Sequence, residues 1–169
     1  AYEAQGFEWE SEGLRLVGDA QVKLKALRGA QTTFEALRKA NPGDVQANLR
    51  LGTIYKKLAA SAAAANRDDL LTRSDQAIRR ALADASAPAE RAEAYSLLGS
   101  NAKSRWLADW HDAAVAARGG AALGSPRLAD ALASYLSAYA ENLVGYYAGA
   151  NALALLKIQG ALAQQEPDT

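Results

Sequence analysis

The sequence predicts an all-α fold of antiparallel helical hairpins, and three observations carry that reading. Alanine supplies 41 of the 169 residues; it is the best helix former, and its small side chain lets helices approach closely. Only four prolines interrupt the chain, and β-branched residues are few. The third observation is a spacing that occurs three times: Leu14-x-x-Val17-Gly18, Asn48-x-x-Leu51-Gly52-x-x-Tyr55 and Tyr95-x-x-Leu98-Gly99-x-x-Ala102. Each copy is followed by a second pattern: Ala30-x3-Phe34-x2-Leu37, Ser74-x3-Ile78-x2-Ala81 and Ala131-x3-Tyr135-x2-Ala138. Small and large residues at these offsets let two antiparallel helices pack, which is the signature of a helical-hairpin repeat.

The elements follow in order. Residues 1–13 carry Phe7 and Trp9 among acids, and either open the first helix or lie as an arm across the core. From Leu14 the helical period runs to 40 as one helix or a bent pair. Asn41-Pro42-Gly43-Asp44 then stops it, because proline and glycine do not continue a helix. A helix is expected over 45–65. Asn66-Arg67-Asp68-Asp69 reads as a turn and a new N-cap, opening a helix over 69–85. Ser86-Ala87-Pro88 separates this from a helix over 88–118, with proline well placed in its first turn. Gly119-Gly120 and Gly124-Ser125-Pro126 bracket a loop, and 127–142 is helical. Gly145-Tyr146-Tyr147-Ala148-Gly149 reads as a second loop, followed by a last helix over 150–163 and a polar, flexible tail over 164–169. The expected organisation is one repeat domain over 14–163. About six to seven helices stack in a short right-handed array, made irregular by elongated helices.

Gly52 and Gly99 have a specific place in this scheme. A glycine in mid-helix costs about 1 kcal/mol against alanine. Two at matching places need a reason, and close approach of the partner helix is that reason.

Composition narrows the function classes. Lys plus Arg and Asp plus Glu are 19 each, and the isoelectric point is near 6.9. With no basic stripe, nucleic acid is not an expected partner. There is no cysteine, hence no disulfide or thiolate chemistry. A single histidine argues against a conventional zinc site, and no cofactor is expected. No window has the length and apolarity of a membrane span. The start, Ala1-Tyr2-Glu3-Ala4, lacks a signal pattern, and methionine is absent even at position 1. The chain therefore reads as a processed form or a piece of a longer one; a cytoplasmic location is favoured, with export left open. His111, in Asp109-Trp110-His111-Asp112, is either a base or pH switch or a surface histidine beside solvated acids, and the second reading is preferred. Asp68-Asp69 and Glu90/Glu93 suit helix N-terminal charge preference better than acid–base work. With no nucleophile context and no phosphate loop, no enzyme is expected.

At these residues the chain resembles tetratricopeptide-repeat proteins. Their unit is 34 residues, with W-x2-L-G-x2-Y in the first helix, A-x3-F-x2-A in the second and a closing proline. With Leu14 at the fourth place, Val17, Gly18, Ala30, Phe34 and Pro42 fall in their places, and Leu51, Gly52 and Tyr55 begin the next unit on time. The later copies are stretched: Tyr55 to Ser74 is about ten residues longer than that pattern, and Ala102 to Ala131 about twenty longer. The longer helices expected to absorb them cover 56–65 and 103–118.

More narrowly, the chain resembles the helical region in the TRAF-binding part of apoptosis signal-regulating kinases and bacterial relatives. The segments are Leu51-Gly52-Thr53-Ile54-Tyr55-Lys56-Lys57, Ala94-Tyr95-Ser96-Leu97-Leu98-Gly99, and 146–156. Ala148 stands where that family has proline, Ala150 where it has isoleucine, and Asn101-Ala102-Lys103 where Ile-Tyr-Lys would stand.

The resemblance implies a non-catalytic scaffold within a larger signalling chain, binding a protein or peptide in its groove. By its register Gln46, Leu49, Thr53 and Lys56 line the groove in one unit, and Glu93, Ser96, Ser100 and Lys103 in the next. Lys56 and Lys103 then hold equivalent positions, either gripping a carboxylate or acidic peptide or standing as two solvated lysines. The carboxylate clamp of chaperone-binding members is not reproduced. The alternative is a helical-bundle regulatory or small-ligand domain, with a cavity near Trp106 and Trp110. These sit four apart on one helix face, and core packing is their preferred role. Finally, from 148 to 163 only Asn151, Lys157 and Gln159 are strongly polar, whereas a terminal repeat needs a polar outer face. This end is expected to pack on a second copy or on further chain.

Overall fold

Alanine-rich stretches punctuated by caps give eight α-helices and one short 3-10 turn, with no strand, among the described residues. The computed structural model describes the backbone of residues 2–165 and the side chains of residues 10–165. The helices are α1 (Tyr2–Lys23), α2 (Leu27–Ala40), α3 (Val45–Ala60), α4 (Ala64–Asp84), α5 (Pro88–His111), α6 (Arg118–Gly124), α7 (Pro126–Glu141) and α8 (Tyr146–Gln165); the 3-10 turn is Val115–Ala117. The backbone of 2–13 belongs to α1; the side chains of Phe7 and Trp9 lie outside the described residues. Of the tail expected over 164–169, Gln164 and Gln165 are helical and the rest lies outside the described residues. The chain divides into two compact units, Ala1–Ala85 and Ser86–Thr169.

In the first unit α1, α2, α3 and α4 pack consecutively. The stretch 14–40 is a pair of helices, because the chain turns back at Lys25 with φ 59°. Ala26 N–H bonds to the Gln21 carbonyl at 2.8 Å and Lys25 N–H to Val22 at 3.1 Å. That is a Schellman ending with lysine in the left-handed place usually given to glycine. The turn expected at 66–69 lies instead at 61–63, and Asn66 to Asp69 are inside α4. The alanine run 62–65 is so favourable to helix that α4 starts at Ala64 without a side-chain cap. The extra length of this hairpin therefore falls on the start of α4 rather than the end of α3.

Asp44 joins three parts of this unit. Its carboxylate caps α3, accepting from the Ala47 N–H at 2.9 Å. The Arg15 guanidinium of α1 forks onto the same group, one N–H donating at 3.0 Å. Asp44→Ala removes a cap of about 1 kcal/mol and leaves Arg15 without its acceptor. We expect about 2–3 kcal/mol of destabilisation in urea unfolding, with Asp44→Asn recovering the cap portion.

In the second unit α5 and α7 form the hairpin. Arg91 pairs with Glu141 at 2.9 Å at one end. At the other, Asp109 accepts from Ser125 Oγ at 2.9 Å and lies 3.4 Å from Arg127. The long insertion does not lengthen α5, which stops at His111. It folds into α6, so Gly119 and Gly120 are helical rather than looped. Trp106 causes this: it is 4% exposed and its indole N–H donates to the Ala122 carbonyl at 2.8 Å, fixing α6 on α5. Ser125 then caps α7, with Pro126 as its first residue. The second expected loop, 145–149, is also mostly helix, since α8 starts at Tyr146.

The repeated glycines are where the hairpins close. A Cβ on Gly18 would lie 2.6 Å from Phe34, one on Gly52 2.5 Å from Ile78, and one on Gly99 3.1 Å from Tyr135. In all three hairpins the glycine of the first pattern therefore receives the large residue of the second. Phe34, Ile78 and Tyr135 are each at most 2% exposed.

Candidate partner groove

A concavity lined by two of the expected groove residues lies within the second unit. One wall is α5, whose residues at helical spacing, Ala89, Ala92, Glu93 and Ser96, face Tyr147 and Ala148 at the start of α8. Ala138 of α7, Asn142 just past its end and Gly145 complete a hollow of about 220 Å³. Alanines make its floor: Ala92, Ala138 and Ala148 are all buried, and larger residues there would fill it. Gly145 is needed for the tight exit from α7, since a Cβ there would sit 3.0 Å from the Asn142 carbonyl.

Farther along, α5 and α8 are bridged. Lys103 Nζ donates to Asn151 Oδ1 at 2.7 Å and lies 5.6 Å from the centroid of the Tyr135 ring, a cation–π distance. Asn151 in turn donates to the Tyr147 carbonyl at 2.8 Å. The Tyr135 and Tyr147 rings meet edge to face at 6.2 Å. Burial pushes the Tyr135 phenol far up from its ordinary value, with Ser100 and Tyr147 beside it. This end of the groove is thus a closed, uncharged wall capped by one lysine.

The expected residues divide. Glu93, exposed, and Ser96, half-buried, line the hollow. Ser100 is 7% exposed beneath Tyr135 and offers a partner nothing. Leu49 is 1% exposed, so its place on an open groove face is corrected: the fold itself takes the roughly 1.5–3 kcal/mol that burying a leucine yields. Gln46 is exposed, and Thr53 and Lys56 are half-buried, all in the first unit. Of the two lysines expected at equivalent positions, Lys56 lies in the first unit and Lys103 in the second, where its head donates to Asn151.

The sequence reading missed Asn142, Tyr147 and Asn151, because it sought groove residues only on the first helices of complete hairpins. A signal existed. Asn41 and Asn142 both end a helix, and the next helix starts four residues later in each case.

The remaining candidates are placed as the blander readings expected. His111 is surface-exposed, with Nδ1 3.1 Å from Asp112 beside it in the chain. Trp106, in the core of the unit, and the half-buried Trp110 packed against that core meet edge to face at 6.0 Å. Among the described residues no group of three His, Cys, Asp or Glu side chains is placed to hold a metal. No helix there is long and apolar enough to cross a membrane. No family model, curated protein or solved structure matches the chain.

Proposed function

We propose that the chain is a non-catalytic, tetratricopeptide-like scaffold that receives a protein or peptide segment in the groove between α5 and α8. The observation that supports this most is the threefold pairing of a helix glycine with a bulky residue of the next helix. Such pairs make rigid hairpins, and hairpins set side by side leave a groove lined by their first helices. The hollow at Glu93 and Ser96 suits one protruding side chain of a bound segment. Ser96 and Asn142 supply hydrogen-bonding groups for its backbone, and Glu93 offers a negative charge at the rim.

The test fills the hollow. A partner is first isolated with the native chain, and its affinity for Ser96→Trp and Glu93→Lys is then measured by calorimetry. Ser96→Trp should weaken binding at least tenfold, about 1.4 kcal/mol, with the unfolding curve unchanged. Full affinity in Ser96→Trp would place the partner elsewhere.

A further inference from the structure

The face of α8 that points away from the groove is bare, and unit 1 shows how unusual that is. Matching α8 to α3 from their equivalent starts, Ala47, Leu51 and Ile54 correspond to Ala148, Ala152 and Leu155, and all six are buried. The other face differs. In α3, Gly52 and Tyr55 are covered, Gly52 by Ile78 of α4. Their counterparts Leu153 and Leu156 are 55% and 45% exposed.

The bare face extends over the end of α7 and the turn before α8. Leu143, Val144 and Tyr146 are 68%, 88% and 85% exposed. These side chains, with Leu136 and Tyr139, surround a hollow of about 460 Å³ that no charged residue lines. Seven large apolar side chains, 39–88% exposed, thus lie together here, and a contiguous exposed apolar patch of this kind marks an association site.

We propose that this face is a self-association surface, and that a second copy of the chain docks on it about a two-fold axis through α8. The pattern on the helix selects this occupant. Gly149-x3-Leu153-x2-Leu156-x3-Gly160 reads the same in both directions. Two antiparallel copies then set Leu153 against the partner's Leu156, and Gly149 against the partner's Gly160. An isologous contact needs such a self-complementary patch. Gly160 is open, since a Cβ there would touch nothing within its own chain, while Gly149 lies against Tyr139, 3.1 Å from where its Cβ would stand. No charged residue lines the hollow, and Lys157, one turn after Leu153, stands exposed beside it.

Sedimentation equilibrium from micromolar to submillimolar protein tests this, using Leu153→Lys and Leu156→Glu. The native chain should dimerise, and each variant alone should be monomeric with unchanged far-ultraviolet circular dichroism. An equimolar mixture should dimerise again, because one Lys–Glu pair forms while the other half keeps its leucines. Gly160→Trp serves as a further variant that leaves the monomer intact and should weaken the dimer at least tenfold. A native chain that stays monomeric throughout, a mixture that fails to reassociate, an open-ended assembly, or a Gly160→Trp dimer of native strength would each overturn the proposal. The groove variants leave the mass unchanged, so the two readings fail separately.

Discussion

Gly52→Val should destabilise the first unit by about 3 kcal/mol or more in urea unfolding. The first added carbon would already lie 2.5 Å from Ile78 Cγ1 and 3.1 Å from its Cδ1. Ile78 is fully buried, and a β-branched side chain has few rotamers to retreat into. The roughly 1 kcal/mol that removing a helical glycine returns does not offset this. Separating the helices would also break the bond from Ser74 Oγ to the Gly52 carbonyl, 2.7 Å long and buried. Gly13→Ala, within α1 of the same unit, is the matched control: with nothing within 4 Å, it should gain up to about 1 kcal/mol. A stable Gly52→Val protein with unchanged packing would mean that α3 and α4 meet by some other contact.

Trp106→Ala is the second large effect, about 3–5 kcal/mol. The indole fills the junction of α5 and α6, and its loss leaves the Ala122 carbonyl without its partner. The damage should be local first. Amide exchange over 118–124 should quicken more than exchange in α7, whose cap and paired ends do not involve the tryptophan. Trp106→Phe should keep most of the packing and lose the hydrogen bond, about 1–2 kcal/mol. Unaltered exchange over 118–124 in Trp106→Ala would show that α6 is held by its other contacts.

What the sequence could tell depended on the range of the interaction behind each feature. The hairpins were legible because glycine and bulky residues recur at fixed offsets; that each glycine meets the bulky residue of the pattern after it emerged only from the structure. The boundaries at 61–63 and 112–125 were not. Asn66 to Asp69 look like a turn locally, but the alanines before them already favour helix. Gly119 and Gly120 look like a loop until Trp106 supplies a hydrogen bond from another helix. Half of the groove was visible, since Glu93 and Ser96 lie on one face of α5. Asn142, Tyr147 and Asn151 were not, because they enter only once α8 packs on α7. Leu49 and Ser100 shared the right helical face, yet periodicity alone does not show how deeply a face is covered.

A double-mutant cycle between Gly52→Ala and Ile78→Ala tests most directly whether glycine–bulky pairs hold these hairpins together. Gly52→Ala alone should destabilise despite its helix propensity. In the Ile78→Ala background, where its methyl enters vacated space, it should become neutral or stabilising. The coupling between the two changes should be about 1–3 kcal/mol. If the two changes add to within about 0.5 kcal/mol, with Gly52→Ala stabilising the native chain, then close approach is not why glycine stands at that position, and the repeat would be a coincidence of an alanine-rich chain.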